Sequence, residues 1–286
     1  MAHDRWRWRR HTAAAQVISP GRHAFLASIG ILAGCGTLPH DRHWGGDATA
    51  VPGWQRVTAS ARHAAADPRV WIPLLGAAAF QVDEFDRRAS DWAREHMPVF
   101  GSQLRAERWS DHLRDASAYT HYATIVATRS GDAVRPWLAN KAGGALVDAG
   151  AVATTVAITR GLKTTFGRDR PNGQGTESFP SGHTSSSAVH TALASRNLEF
   201  VPLRAAVRDA ADAGLYAMTL GTSWARVEAG WHYPSDTLFS MALGRFLATW
   251  FNDAFLDPDR VSRRWTVVIY PRADLYPACG RVNKYC

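Results

Sequence analysis

The stretch AVRPWLANKAGGALVDAGAVATTVAITRGLKTTFGRDRP, residues 133–171, decides how the rest of the chain is read. It is rich in Ala, and its apolar residues run on without a strand-like alternation, which predicts a long helix or two helices loosened at Gly143-Gly144. It then delivers Lys163 and Arg170 before Pro171. Lys163 and Arg170 are seven apart, so on a continued helix they would share a face, with Pro171 ending it. Two cations there repel unless an anion sits between them.

Two more segments supply what such a site lacks. Pro180-Ser181-Gly182-His183 is turn chemistry leading into a run that reads as a helix from Thr184. Ser181 suits a cap, Gly182 permits close backbone approach, and the free amides of a helix start attract anions. Arg226-Val-Glu-Ala-Gly-Trp-His232-Tyr-Pro-Ser-Asp236 adds a third cation, a second histidine and a carboxylate. Pro234 suits the first position of a helix. The spacing of His232 and Asp236 can bring the carboxylate to one imidazole nitrogen, fixing the tautomer and freeing the other nitrogen to attack. Each segment alone has a plain structural reading as a solvated helix end, an ordinary turn or a cap. All three together, in order and with their internal spacings intact, make the inventory of a phosphate-transfer site.

These segments resemble the three-part signature of the type 2 phosphatidic acid phosphatase superfamily, which also holds bacterial class A acid phosphatases and vanadium-dependent haloperoxidases. Lys163, Arg170 and Pro171 match its first part, Pro180 through His183 its second, and Arg226, His232 and Asp236 its third. Ala225 stands where the family usually has Ser, and the loop between Pro171 and Pro180 is short for the family. The resemblance implies an all-α helical bundle of the acid phosphatase type. It implies a metal-independent phosphatase in which His232 forms a phosphohistidine, Asp236 orients His232, and His183 protonates the leaving oxygen and then activates water. Lys163, Arg170, Ser181, Gly182 and Arg226 would bind the phosphate. The alternatives left open are a vanadate-dependent haloperoxidase and a non-catalytic phosphate-binding lipoprotein. No cofactor or metal is expected, because the sequence has no zinc-type or calcium-type ligand spacing.

The N-terminus carries Arg5, Arg7, Arg9 and Arg10, then an apolar run from Ala24 into Leu32-Ala33-Gly34-Cys35. This reads as an export signal over residues 1–34 with a lipobox-like end, so that Cys35 would carry lipid. The formal charge of +8 then falls to +4, because residues 1–34 hold five Arg and one Asp. That modest surplus is assigned to a phosphate site and not to nucleic acid. The expected partners are a phosphate-ester substrate, lipid or soluble, and a membrane reached through the N-terminal lipid on the periplasmic side of a bacterial envelope. Cys279 and Cys286 could pair in that oxidising compartment or remain free thiols.

The organisation expected is a tether at 35–66, on which Trp44 and Trp54 could dock, a helical domain at 67–256, and an extension at 257–286. Helices are predicted near 70–80, 86–96, 104–129, 133–166, 183–196, 204–224 and 234–255. The C-terminal extension reads as irregular or a β-hairpin, with a strand at Trp265–Tyr270. No run reaches the roughly 20 apolar residues that cross a bilayer, because Asp148 and Arg160 interrupt one candidate and Arg245 another. The domain is therefore expected to be soluble, held to the membrane by its lipid.

Overall fold

The structure is a computed structural model that describes residues 43–256. The export signal, Cys35, the Cys279 and Cys286 pair, the Trp265–Tyr270 strand and the tail lie outside the described residues. The helices are α1 (Trp54–Ala65), α2 (Pro68–Ala79), α3 (Phe85–His96), α4 (Gln103–Ala127), α5 (Val134–Phe166), α6 (Gly182–Asn197), α7 (Ala205–Glu228) and α8 (Pro234–Phe251). A π-helical turn, Asn252–Leu256, continues α8. No strand occurs among the described residues, as the all-α reading requires.

α6 is the centre of the bundle. It packs against α4, α5, α7 and α8, and nearly every side chain from Thr184 to Asn197 is buried. Its sequence explains how: Ser, Thr and Ala dominate, so neighbouring helices approach closely and hydroxyls can satisfy one another. Ser187 pairs with Ser117 of α4 at 2.8 Å, and Thr191 with Thr219 of α7 at 2.7 Å. Gly244 of α8 faces the same helix so closely that a Cβ there would stand 2.6 Å from the Ser185 carbonyl oxygen, inside contact distance.

α5 is one helix of 33 residues, unbroken at Gly143-Gly144. Gly144 is small because Trp44 lies over it: an added Cβ would come within 2.5 Å of the indole. Trp44 is fully buried, and its Nε1 donates to Asn197 Oδ1 at 2.9 Å. Trp54 is 78% exposed, so of the two tryptophans only Trp44 is a docking residue. The stretch expected as a bare tether also contains α1, which packs against α8. The helical body therefore starts before residue 67.

α5 also corrects the membrane reading. By length and composition it could cross a bilayer, and only 28% of its most apolar stretch is buried. Asp148 does not break this pattern, because it is turned inward. It accepts hydrogen bonds from His121 Nε2 at 2.9 Å and Asn197 Nδ2 at 3.0 Å and is fully buried. A charge counted as an interruption in sequence is spent inside the bundle. Trp137, Leu138, Leu146 and Ile158 remain exposed along the outer side of α5, and Trp71, Ile72 and Leu75 do so on α2.

Candidate active site

The site forms where the end of α5, the start of α6, the end of α7 and the start of α8 meet. α5 stops at Phe166, earlier than Pro171 suggested, because Gly167 takes a left-handed conformation with φ 53°. Lys163 and Arg170 therefore do not share a helix face. They meet because the chain turns back through a tight loop. In that loop Gly173 N donates to the Arg170 carbonyl, Arg170 N to the Gly175 carbonyl, and Ser178 N to the Arg168 carbonyl. Asn172 N donates to the Gly230 carbonyl, tying the loop to the turn before Trp231.

Three cations converge. The guanidinium groups of Arg170 and Arg226 lie 4.8 and 5.1 Å from the Trp231 ring. The Nε atoms of both arginines are buried without a protein partner. Lys163 reaches across the loop, donates to the Glu177 carbonyl and passes its stem beside Gly182. Burial and the nearby Arg170 push the Lys163 ammonium down to about 8. Burial likewise lowers Arg226 to about 10. Cations made this uncomfortable are those an anion would relieve.

Ser181 caps α6 as expected. Its Oγ accepts from Thr184 Oγ1 at 3.0 Å, and its own N–H donates to Ser240 Oγ at 2.7 Å. Gly182 opens the helix beside the Lys163 stem. Ser181 and Gly182 thus place a helix start, with its positive dipole end, next to the cations.

His232 is 2% exposed. Its Nδ1–H donates to the Ser178 carbonyl oxygen. That bond fixes the tautomer and leaves Nε2 with its lone pair. Burial first, then the charges of Arg226, Lys163 and Arg170, hold its pKa well below the ordinary histidine value, so the ring is neutral. A neutral imidazole with one fixed nitrogen and one free nitrogen can act as a nucleophile.

The expected contact between Asp236 and His232 is not the one made. Asp236 is the third residue of α8, and its carboxylate turns back onto the Tyr233 N–H at 2.9 Å. It also accepts from Ser178 Oγ at 2.5 Å and Arg168 Nη1 at 2.5 Å. Asp236 therefore acts one residue removed: it holds Ser178, and the Ser178 carbonyl holds His232. Burial raises its pKa, with Arg168 and Ser178 opposing. Arg168 continues the network, since its Nη2 donates to Asp86 Oδ2 at 2.8 Å. Asp86 in turn accepts from Ser235 N at 2.9 Å.

His183 faces a different pair. Its Nε2 lies 2.8 Å from Asp111 Oδ1 and 2.7 Å from Arg114 Nη1, both on α4. Burial and the charge of Arg226 push its pKa down to about 4. Sequence reading missed Ser178, Arg168, Asp86, Asp111 and Arg114. Arg168 lies inside a quoted segment, between two named cations, but nothing in its spacing announced a carboxylate partner. Ala225 is buried in α7, so the departure from the family pattern falls on a packed position.

A sequence model of the PAP2 superfamily matches residues 144–258. Over those residues the chain is similar to the PAP2 superfamily. The matched segment contains all three cations, both histidines and Asp236. α4, which brings Asp111 and Arg114, precedes it. Among solved structures, one similar to this chain is a transmembrane PAP2 type phosphatidylglycerolphosphate phosphatase from Bacillus subtilis. It is 18% identical, with a TM-score of 0.49, and the match covers 64% of this chain and 92% of that one. No curated protein matches.

Proposed function

We propose that this PAP2-like domain is a phosphatase that hydrolyses phosphomonoesters through a phosphohistidine on His232. The observation that carries this reading is the state of that ring: buried, neutral, pinned at Nδ1 by the Ser178 carbonyl, with Nε2 free among three cations. A site that only bound phosphate would need the cations but not an oriented nucleophile.

Lys163, Arg170 and Arg226 would hold the equatorial phosphoryl oxygens, with the start of α6 beside them. Nε2 of His232 attacks phosphorus as the ester oxygen departs, and His183 gives that oxygen a proton. Water then attacks the phosphohistidine while His183 takes one of its protons, releasing phosphate and restoring both rings. Positioning and charge stabilisation are the main requirements of phosphoryl transfer, and this cluster supplies them.

The test is phosphate release by the full chain from lipid and water-soluble phosphomonoesters. Activity should survive a strong chelator, since the three side-chain cations carry the charge stabilisation. Vanadate should inhibit by taking the phosphate position. Complete loss in chelator, restored by a divalent ion, contradicts the mechanism.

Membrane association is part of the proposal, supported by the apolar outer side of α5. An N-terminal lipid on Cys35, facing the periplasm, rests on Leu32-Ala33-Gly34-Cys35. Expression with labelled lipid should mark the wild type and not Cys35→Ser. An unlabelled wild type removes the anchor.

A further inference from the structure

His183 has two neighbours that want opposite things from the same atom. A ring nitrogen can donate to Asp111 or accept from Arg114, but not both at once. Asp111 Oδ1 at 2.8 Å favours a proton on Nε2, and Arg114 Nη1 at 2.7 Å favours its absence. Among the described residues Nδ1 makes no hydrogen bond, so it is the nitrogen left for the reacting oxygens.

Asp111 and Arg114 are three apart on α4 and share a face. They also pair with each other at 3.4 Å, and Arg114 is steadied by Asp115 at 2.9 Å. The charged groups that act on His183 are Asp111 and Arg114 from α4 and Arg226 from α7. Among these groups, Asp111 is the anion set against two cations.

We propose that Asp111 is the positioning residue of His183, with Arg114 as its counterweight. Asp111 accepts a hydrogen bond from Nε2–H throughout the cycle and directs Nδ1 to the reacting oxygens. In the first half-reaction the Nδ1 proton passes to the leaving ester oxygen. In the second, Nδ1 takes a proton from the attacking water. Asp111 stabilises the imidazolium present before the first step and after the second. Arg114 keeps that imidazolium from becoming permanent, so the ring can give its proton away. The substrate's own negative charge joins Asp111 in favouring the protonated ring when the site is full.

The role in turnover rests on the proposed phosphatase reading, whereas the effect on the ring can be read without turnover. In the full chain, the His183 imidazole is titrated by NMR in the wild type, Asp111→Asn and Arg114→Gln. Asp111→Asn should move the titration to lower pH and Arg114→Gln to higher pH, each by about one pH unit. A purely structural role would move both the same way or neither, and either result overturns the proposal. Asp111→Glu, which keeps the charge, should return the titration toward wild type; failure to do so also counts against it. If phosphate esters are turned over, the high-pH limb of kcat for an alkyl phosphate should move in the same opposite directions. Asp111→Asn should lower that kcat by about 10-fold or more, with a smaller change in KM. A wild type with no activity on any ester would sink the phosphatase reading and leave the titration result standing by itself.

Discussion

Replacing His232 with alanine is expected to abolish turnover on every phosphate ester. No phosphohistidine can form at position 232 without Nε2, and the site's other neutral imidazole, His183, is assigned the acid–base role. Removing a nucleophile that acts as a unit with its partners costs on the order of 10⁴-fold or more in kcat. Because His232 is buried, alanine also leaves the Ser178 carbonyl without its donor. His232→Asn keeps an N–H donor near that carbonyl and serves as the control for folding. Rapid-quench kinetics with detection of acid-labile phosphohistidine should find no phosphoenzyme in either variant. A phosphohistidine at position 183 in His232→Ala would reverse the roles assigned to the two rings.

His183→Ala should behave differently, and the difference depends on the leaving group. A nitrophenolate departs with little help, whereas an alkoxide needs a proton as it leaves. General acid assistance is typically worth about 10²–10⁴-fold, so alkyl phosphates should lose that factor in phosphorylation and activated esters much less. The second step has no such escape, because water must still be deprotonated. Phosphoenzyme should therefore accumulate in His183→Ala given an activated ester. An equal loss on both kinds of ester, with no accumulated intermediate, would remove His183 from acid–base chemistry.

The helices and the residues that carry charge were readable because residue type and spacing report them directly. Lys163, Arg170, Arg226 and both histidines are fixed by motifs whose internal distances are short. What holds those residues was less legible, for three physical reasons. The partner of His232 is a backbone carbonyl, and a carbonyl leaves no trace in residue type. Asp236 has the spacing to reach His232, but as the third residue of α8 it serves the helix start and Arg168 instead. Asp111 and Arg114 arrive from α4, some seventy residues before His183, and an acid and a base three apart on a helix look like any solvated pair. The same limit explains α5: the sequence shows Asp148 as a charge in an apolar run, and only packing reveals that the charge faces His121 and Asn197.

The depressed pKa values of His183 and His232 have a consequence for how the empty and filled enzyme exchange protons with solvent. With the site empty, partial burial and then the charges of Arg226 and Arg114 hold the His183 pKa down to about 4, so the ring stays neutral above it. A phosphate dianion reverses the local field and raises that value, so between the two values binding and protonation are a single linked event. The ligand arrives and a proton is drawn from the buffer with it. Weakly acidic conditions therefore favour capture, by mass action on the proton, for as long as the ligand itself stays doubly charged. On the proposed mechanism, the acid needed for the first chemical step is not stored in the resting protein; it is recruited by the substrate that will consume it.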